Sequence, residues 1–135
     1  MKKQEVTLSN IQIIAALDGL MALRQKELPV DLGFSLVDNL KTIRKRVEAY
    51  NEYRMELLKK YAKLDDQGNP AVKDSGFVDF PDKNAEKAAE QAVVALNNVE
   101  MTDGYILYTR DEFKAAGVSI SPAALEGLEW MIREE

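Results

Sequence analysis

The sequence predicts an α+β fold that is mainly α, with a long antiparallel helical hairpin, a small β-hairpin or sheet and a C-terminal helix. Two observations support this prediction: residues 10–62 contain few helix breakers, and residues 98–120 combine strand formers with turn residues. The length of 135 residues suits one domain, 1–135. Its predicted parts are a helical hairpin (8–62), a loop (63–83), a helix (84–97), a small β region with a short helix (98–120) and a C-terminal helix (121–135).

The chain begins with a candidate edge strand followed by a capped helix. Polarity alternates weakly over 4–8, which is compatible with a short strand. Ser9 and Gln12 have capping-box spacing, in which each side chain satisfies a backbone N–H group at the start of a helix. The first helix is therefore expected over about 10–25.

A second, much longer helix is expected from Val30 to about Ala62. Pro29 suits its first turn because a proline lacks the N–H group that would be unpaired there, and Gly33 is the only weak helix former of note. Apolar residues along this segment are spaced alternately by four and three positions, as in a heptad seam with one polar member. The members of the seam are Leu36, Leu40, Ile43, Val47, Tyr50, Arg54, Leu57 and Tyr61.

The two helices differ in length, so part of the apolar seam on the longer helix must be buried by something other than the first helix. At 1.5 Å per residue they span about 24 Å and about 50 Å, so an antiparallel hairpin leaves the far half of the longer helix uncovered. One candidate cover is an apolar, alanine-rich face within 84–97, and the other is a second copy of the chain. We expect both together. The predicted oligomer interface comprises Leu40, Ile43, Val47, Tyr50, Leu57 and Tyr61.

The C-terminal half contains several turn and cap signals. Residues 65–70 are rich in turn formers, and Phe77 and Phe80 are expected to anchor the following loop. Asp103-Gly104, flanked by strand-like residues, predicts the turn of a β-hairpin. Thr109 with Glu112 predicts a second capping box, and Ser121-Pro122 predicts the start of the final helix.

Composition excludes several classes of function. The net charge of −5 argues against general nucleic-acid binding, which depends on an excess of Lys and Arg. The chain contains no cysteine and no histidine, so thiol chemistry, an imidazole base and the usual zinc ligands are excluded. No apolar run is long enough to span a membrane, and the N-terminus does not resemble a signal peptide. We expect a cytoplasmic protein with no membrane partner.

The long helix provides the only candidate ligand-binding residues. A basic cluster one turn long lies near two tyrosines, a combination that can hold a phosphate and a base, although a solvated helix surface is the simpler interpretation. Arg54 interrupts the apolar seam; it either sets the register of the helix, pairs with a glutamate or binds an anion. The candidate residues are Lys41, Arg44, Lys45, Tyr50, Tyr53 and Arg54.

No catalytic or metal-binding residues are predicted. The aspartates of 65–82 lack the spacing of a calcium-binding loop, and a solvated loop explains them better. No phosphate-binding loop pattern occurs, and the capping roles explain the serines. We therefore expect no cofactor and a protein that is not an enzyme, an enzyme using carboxylates and a divalent ion being the residual alternative.

Two long segments resemble a known family. They are LSNIQIIAALDGLMALRQKELPVDLGFSLVDNLKTIRKRVEAYNEYRMELLKKYAKLDDQGNP and SISPAALEGLEWMIREE. Their pattern is similar to an uncharacterised family of small proteins encoded by phages and prophages, mainly of Gram-positive bacteria. The similarity covers about two thirds of the chain, and the alanine-rich helix and the Asp103-Gly104 segment depart from it. The family has no established active site to transfer.

The resemblance implies a phage accessory protein in the cytoplasm of a bacterial host. Together with the lack of catalytic groups, it suggests a self-associating binding protein that counteracts antiviral defence. Its partners would be itself and either a host defence protein, which it inhibits, or a nucleotide-like immune signal, which it sequesters. The alternative is a virion assembly factor or chaperone that binds a structural protein through the long helix.

Overall fold

The computed structural model describes residues 3–133, which fold as a mainly α, α+β structure with one long helix and a small antiparallel sheet. Along the chain the elements are β1 (Gln4–Ser9), α1 (Asn10–Arg24), α2 (Val30–Tyr61), α3 (Lys83–Asn97), β2 (Glu100–Tyr105), β3 (Tyr108–Thr109), α4 (Arg110–Ala115), α5 (Pro122–Glu126), a 3-10 turn (Glu129–Met131) and β4 (Ile132–Arg133).

The chain forms two compact units. Unit 1 combines the chain up to Val47 with the chain from Glu100 onward, and unit 2 is Glu48–Val99. Helix α2 contributes residues to both.

The sheet of unit 1 corrects the predicted β-hairpin. Asp103 and Gly104 do not form a turn; they lie inside β2, opposite Val6 and Glu5 of the antiparallel partner β1. The two strands pair along their whole length, from Gln4↔Tyr105 to Ser9↔Glu100. A long-range partner with six ladder positions outweighs the local turn preference of two residues. The short strand β3 pairs instead with β4, in parallel.

Both predicted capping boxes are confirmed. At the start of α1 the Gln12 N–H donates to the Ser9 hydroxyl at 3.3 Å, and the Ser9 N–H donates to the Gln12 side chain at 2.8 Å. Thr109 and Glu112 make the same reciprocal pair at the start of α4. Each box satisfies two backbone donors that a helix start would otherwise leave without partners.

The hydrophobic core of unit 1 lies among α1, the first part of α2, and the β2–β3 and C-terminal segments. At roughly 1.5–3 kcal/mol for each large apolar side chain removed from water, this cluster is the main stabilising element of the unit. Its members are Leu8, Ile13, Ala16, Leu20, Leu23, Leu32, Leu36, Leu40, Ile43, Tyr105, Ile106, Tyr108, Leu128 and Met131.

Two buried polar side chains of α2 hold the backbone and side chains of the β2–β3 region. The Asn39 amide donates to the Ile106 carbonyl and accepts from the Ile106 N–H, both at 2.9 Å. Arg46 donates to the Asp103 carboxylate and to the Asn10 side chain, both at 3.0 Å. Its side chain is only 8% exposed, so the guanidinium is largely removed from water and depends on these partners.

The C-terminal helix predicted over 121–135 ends at Glu126, so the prediction is wrong for 127–133, and 134–135 lie outside the described residues. A Cβ at Gly127 would lie 2.2 Å from the Ala15 carbonyl oxygen, so the chain passes directly against the backbone of α1. The Trp130 indole N–H donates to the Gly127 carbonyl at 2.8 Å, which takes an acceptor that a continuing helix would use. The following turn buries Leu128 and Met131 in the core.

In unit 2 the far part of α2 partly confirms the predicted seam. Tyr50 is buried and its hydroxyl donates to the Asn97 side chain at 2.5 Å. Leu58 is buried where the seam predicts Leu57, which is half-buried, and Arg54 is exposed. An α-helix drifts about 20° per heptad from a strict seven-residue repeat, so the buried stripe moves off the seam along a helix of this length.

Among the described residues, no helix has both the length and the apolar character needed to cross a membrane.

The Asn39 contact predicts a large stability loss on substitution. We expect Asn39→Leu, which keeps a similar volume, to lower the free energy of unfolding by about 2–4 kcal/mol, because both backbone groups of Ile106 lose their partner. Urea denaturation followed by the fluorescence of Trp130 measures this. Lys41→Leu, at an exposed position of the same helix, is the matched control and should stay within about 0.5 kcal/mol of the wild type. A loss at Asn39 no larger than in the control would contradict the assignment.

The Tyr105 side chain predicts a loss of stability at alkaline pH. It is fully buried, and its hydroxyl has no hydrogen-bond partner among the described residues. Burial raises the pKa of Tyr105 to about 12, with Asp103 adding to the rise and Arg46 opposing it. Because the folded-state pKa lies above the ordinary value of about 10, folding favours the neutral phenol. This contribution is complete below pH ~10 and is lost as the pH rises towards ~12.

We therefore expect Tyr105→Phe to be at least as stable as the wild type at neutral pH, because it removes an unpaired buried hydroxyl. Between pH ~10 and ~12 the variant should lose less stability than the wild type. Unfolding curves at a series of pH values measure the difference. Tyr53→Phe, at an exposed tyrosine, is the control and should follow the wild-type curve. Identical alkaline behaviour of the wild type and Tyr105→Phe would show that this phenol does not titrate as inferred.

Candidate functional site

Unit 2 contains a cavity of about 760 Å³ whose walls come from α2, from residues 73–80 and from α3. This volume is within the range of small-molecule sites, roughly 300–1,000 Å³. Its lining residues are Arg54 and Leu58 of α2, Lys73, Ser75, Phe77, Val78 and Phe80 of the intervening segment, and Glu86, Ala89, Glu90, Val93 and Val94 of α3.

The segment between α2 and α3 is held by two tight turns. Gly68 and Gly76 adopt positive φ angles of 79° and 88°, which other residues rarely adopt. The Asp65 carboxylate accepts the N–H groups of Gln67 and Asn69, both at 2.9 Å. Isolated bridges join Leu64 with Pro70 and Val72 with Val78. The predicted loop is therefore internally hydrogen-bonded, and its second turn carries the side chains that reach the cavity.

Helix α3 forms the opposite wall. The Asp82 side chain caps its start by accepting the Ala85 N–H at 2.8 Å. The predicted apolar face is confirmed, since all of its residues are buried or half-buried, with Ala89 the most buried. The face comprises Ala85, Ala88, Ala89, Ala92, Val93 and Leu96. Small side chains bury little area, and the cavity remains open beside them.

The cavity is surrounded by apolar side chains that stay in water. Within Glu48–Val99, all of which the structure describes, only Tyr50, Leu58 and Ala89 are buried. Phe77 is 74% exposed, which corrects the prediction that it anchors the loop; Phe80 is half-buried. Val94, also at the cavity, is 57% exposed. Exposed apolar side chains that line one cavity are typical of a binding site.

Charge is divided between the two sides of the cavity. Arg54 and Lys73 lie on α2 and the intervening segment, whereas Glu86 and Glu90 lie one turn apart on α3. Among the described residues, none of the four forms an ion pair within 4 Å. Each keeps its charge available to a ligand. A molecule with an anionic end and a hydrogen-bond-donating end would match both sides.

The predicted ligand-binding residues are not all brought together. Arg54 lines the cavity. Lys41, Arg44 and Lys45 belong to unit 1, are exposed and do not line it; Arg44 contacts the sulfur of Met21 at 3.5 Å.

The two tyrosines of the predicted set also lie away from the cavity lining. Tyr50 is buried with its hydroxyl on Asn97, and Tyr53 is 65% exposed without lining the cavity. Lys73, Glu86 and Glu90 were not predicted from the sequence. The glutamates carried a usable signal, since they stand four residues apart beside the alanine-rich face.

The predicted oligomer-interface residues fall into two groups. Leu40 and Ile43 are 5% and 0% exposed within unit 1, so their own chain leaves almost none of their surface for a second copy. This corrects their assignment. Val47, Leu57 and Tyr61 are half-buried, so an interface there stays a prediction. Tyr50 is buried as well, in unit 2.

Among the described residues there is no group of three or more acidic side chains positioned to hold a metal ion.

Comparisons with known proteins add no assignment: no family model, no curated protein and no solved structure matches the chain.

Proposed function

We propose that the protein is a non-enzymatic, self-associating phage accessory protein that acts by binding, and that it counteracts host antiviral defence. Of the two modes considered, inhibition of a defence protein and sequestration of a nucleotide-like immune signal, the second fits the cavity of unit 2 better. The observation that carries this preference is the division of charge across the cavity. Phage origin rests on the resemblance of the sequence alone.

The two charged sides suit the two ends of a nucleotide. Guanidinium and ammonium groups bind phosphate oxygens through charge-assisted hydrogen bonds, as Arg54 and Lys73 would. Carboxylates accept hydrogen bonds from the amino groups of nucleobases, as Glu86 and Glu90 would. The ligand would therefore lie with its phosphate towards α2 and its base towards α3.

Apolar surface at the same cavity suits the flat faces of the base. The Phe77 ring is exposed to the cavity, and stacking of a base on an aromatic ring contributes roughly 1–3 kcal/mol. The ring needs no rearrangement to become accessible. Binding would cover apolar surface that the chain leaves in water, and this favourable contribution would apply to a bound defence protein as well as to a sequestered nucleotide.

Self-association and the predicted antiparallel helical hairpin over 8–62 belong to the same proposal. The half-buried seam residues Leu57 and Tyr61, with the exposed Tyr53 and Met55, offer apolar surface on the far part of α2. Light scattering is expected to give a mass above the 15.2 kDa of one chain. A mass of one chain at every concentration would remove self-association from the proposal.

A second candidate, the virion assembly factor or chaperone, is favoured by one observation. Val30, Phe34 and Val37, spaced i, i+4 and i+7 on α2, are all exposed, and Phe34 is 69% exposed. A stripe of this spacing suits a helix that docks in a groove of another protein. Presence of the protein in purified phage particles would favour this candidate, and its absence from particles and assembly intermediates would remove it.

The charge division predicts which substitutions weaken ligand binding. In calorimetric titrations with mononucleotides and cyclic di- and trinucleotides, at least one probe should bind the wild type. Arg54→Ala should weaken that binding about tenfold or more, because a charge-assisted hydrogen bond is worth roughly 1.5–3 kcal/mol. Glu90→Gln should weaken it selectively for bases with amino groups. Lys45→Ala, which removes the same charge from the same helix outside the cavity, is the control.

The same variants test the role in cells. Bacteria carrying nucleotide-signalling defence systems should lose protection against phage when they express the wild type, and should keep it when they express Arg54→Ala. Unchanged protection across the panel, or failure of every nucleotide to bind, would overturn the proposed sequestration. Equal effects of Arg54→Ala and Lys45→Ala would show that only the overall charge matters.

A further inference from the structure

A second cavity, of about 610 Å³, lies within unit 1 beside the start of α2, and it is independent of the proposed nucleotide site. Its walls come from the first three turns of α2, from Ile106 and β3, and from α4. The titratable side chains that line it are Asp31, Asp38, Glu112 and Tyr108, and no lysine or arginine is among the lining residues. The cavity is therefore acidic, in contrast to the mixed site of unit 2.

Not all of this negative charge is available. Asp31 lies in the first turn of α2, where it offsets the positive end of the helix. Glu112 accepts the Thr109 N–H at 3.1 Å and lies 3.9 Å from the Arg133 guanidinium. Asp38, two turns into α2, makes no ion pair with any described residue. One carboxylate thus remains uncompensated, which is enough for one cationic group.

The Tyr108 hydroxyl is a second and independent feature of this cavity. The side chain is 2% exposed and lines the cavity, and its hydroxyl makes no well-formed hydrogen bond with the described residues, with the Ser35 hydroxyl beside it. Burial raises the pKa of Tyr108, the neighbouring Ser35 hydroxyl opposes the rise, and Glu112, Asp31 and Asp38 add to it. The phenol therefore stays neutral, and its oxygen can accept a hydrogen bond from a ligand.

The position of the phenol is fixed by packing. The Phe113 ring lies edge-on to the Tyr108 ring, with centroids 5.6 Å apart. Phe34, largely exposed, contributes an aromatic face to the same cavity, and Leu32 and Ile106 contribute aliphatic surface. A cation near an aromatic face gains further attraction, and the aliphatic wall suits a hydrocarbon stem.

We propose that this cavity binds an alkylammonium or alkylguanidinium group, with Asp38 balancing the charge, the Tyr108 oxygen accepting an N–H bond and Phe34 covering the stem. The group has two possible sources, a free polyamine or a lysine or arginine side chain of another protein. Both present the same chemistry to the cavity. The proposal does not depend on the nucleotide site, since the two cavities share no residue.

The test uses the full chain and compares both sources at constant ionic strength. Putrescine and spermidine serve as free polyamines, and the capped tripeptides acetyl-Gly-Lys-Gly-amide and acetyl-Gly-Arg-Gly-amide serve as side-chain sources. Uncharged 1,4-butanediol is the control ligand. Calorimetry and ligand-dependent thermal stabilisation should detect binding of at least one cation and none of the diol. The class of probe that binds more tightly, polyamine or peptide, identifies the source of the cationic group.

Three variants make the result specific. Asp38→Asn should weaken binding about tenfold, as expected when a charge-assisted hydrogen bond is lost. Tyr108→Phe should also weaken it, although it changes no charge. Asp18→Asn removes the same charge from an exposed position of α1 outside this cavity and should bind like the wild type. If Tyr108→Phe does not fold, Asp38→Asn against Asp18→Asn still decides the outcome.

Two results would overturn the proposal. One is equal weakening by Asp38→Asn and Asp18→Asn, which would mean that cations are attracted only by the net negative charge of the chain. The other is failure of every cationic probe to bind the folded wild type. Arg54→Ala, which acts in the other cavity, should leave cation binding unchanged, so failure of the nucleotide proposal and failure of this one are distinguishable.

Discussion

The arrangement of unit 1 depends on two polar contacts buried along α2. The leucine-rich side of this helix could pack against its neighbours in several registers, because aliphatic surfaces tolerate shifts of position. Asn39 does not tolerate such a shift, because its amide must face both backbone groups of Ile106. Arg46 adds a second fixed point by holding Asp103 and Asn10 at once. These contacts set β2 against α2, and they place Tyr108 at the edge of the acidic cavity.

Local signals in the sequence predicted the helix starts, the extent of α2 and the apolar face of α3, because each depends on residues within a few positions of one another. The prediction of a turn at Asp103-Gly104 was wrong because these residues pair with β1, which lies at the other end of the chain. The prediction of a C-terminal helix was wrong for 127–133 partly because of another contact between distant parts of the chain. The close approach of Gly127 to Ala15, which no local pattern reveals, helps to explain why α5 stops at Glu126.

The candidate sites show the same division. Arg54 could be predicted as a candidate because it interrupts an apolar seam, where a charge is costly unless it is paired, exposed or bound to a ligand. Lys73 carries no comparable signal in the sequence, and Glu90 carries only its four-residue spacing from Glu86. Two turns and a helix cap bring Lys73 and Glu90 to one cavity. Tyr108 was not predicted either, because a tyrosine in a short strand is ordinary until the structure shows its hydroxyl buried at the wall of a cavity. Chemistry assembled from separate segments is visible only after folding.

The sparse core of unit 2 connects its packing to the proposed binding role. A segment with three buried side chains gains little from hydrophobic burial, so its local stability is expected to be low. Any ligand that binds only the folded form adds RT ln(1 + [L]/Kd), which for a tight ligand is large compared with such a core. Filling the cavity would also cover Phe77 and Val94, the apolar surface that the chain leaves in water. Binding and ordering of unit 2 would then be one process, which favours tight sequestration of a ligand over rapid turnover.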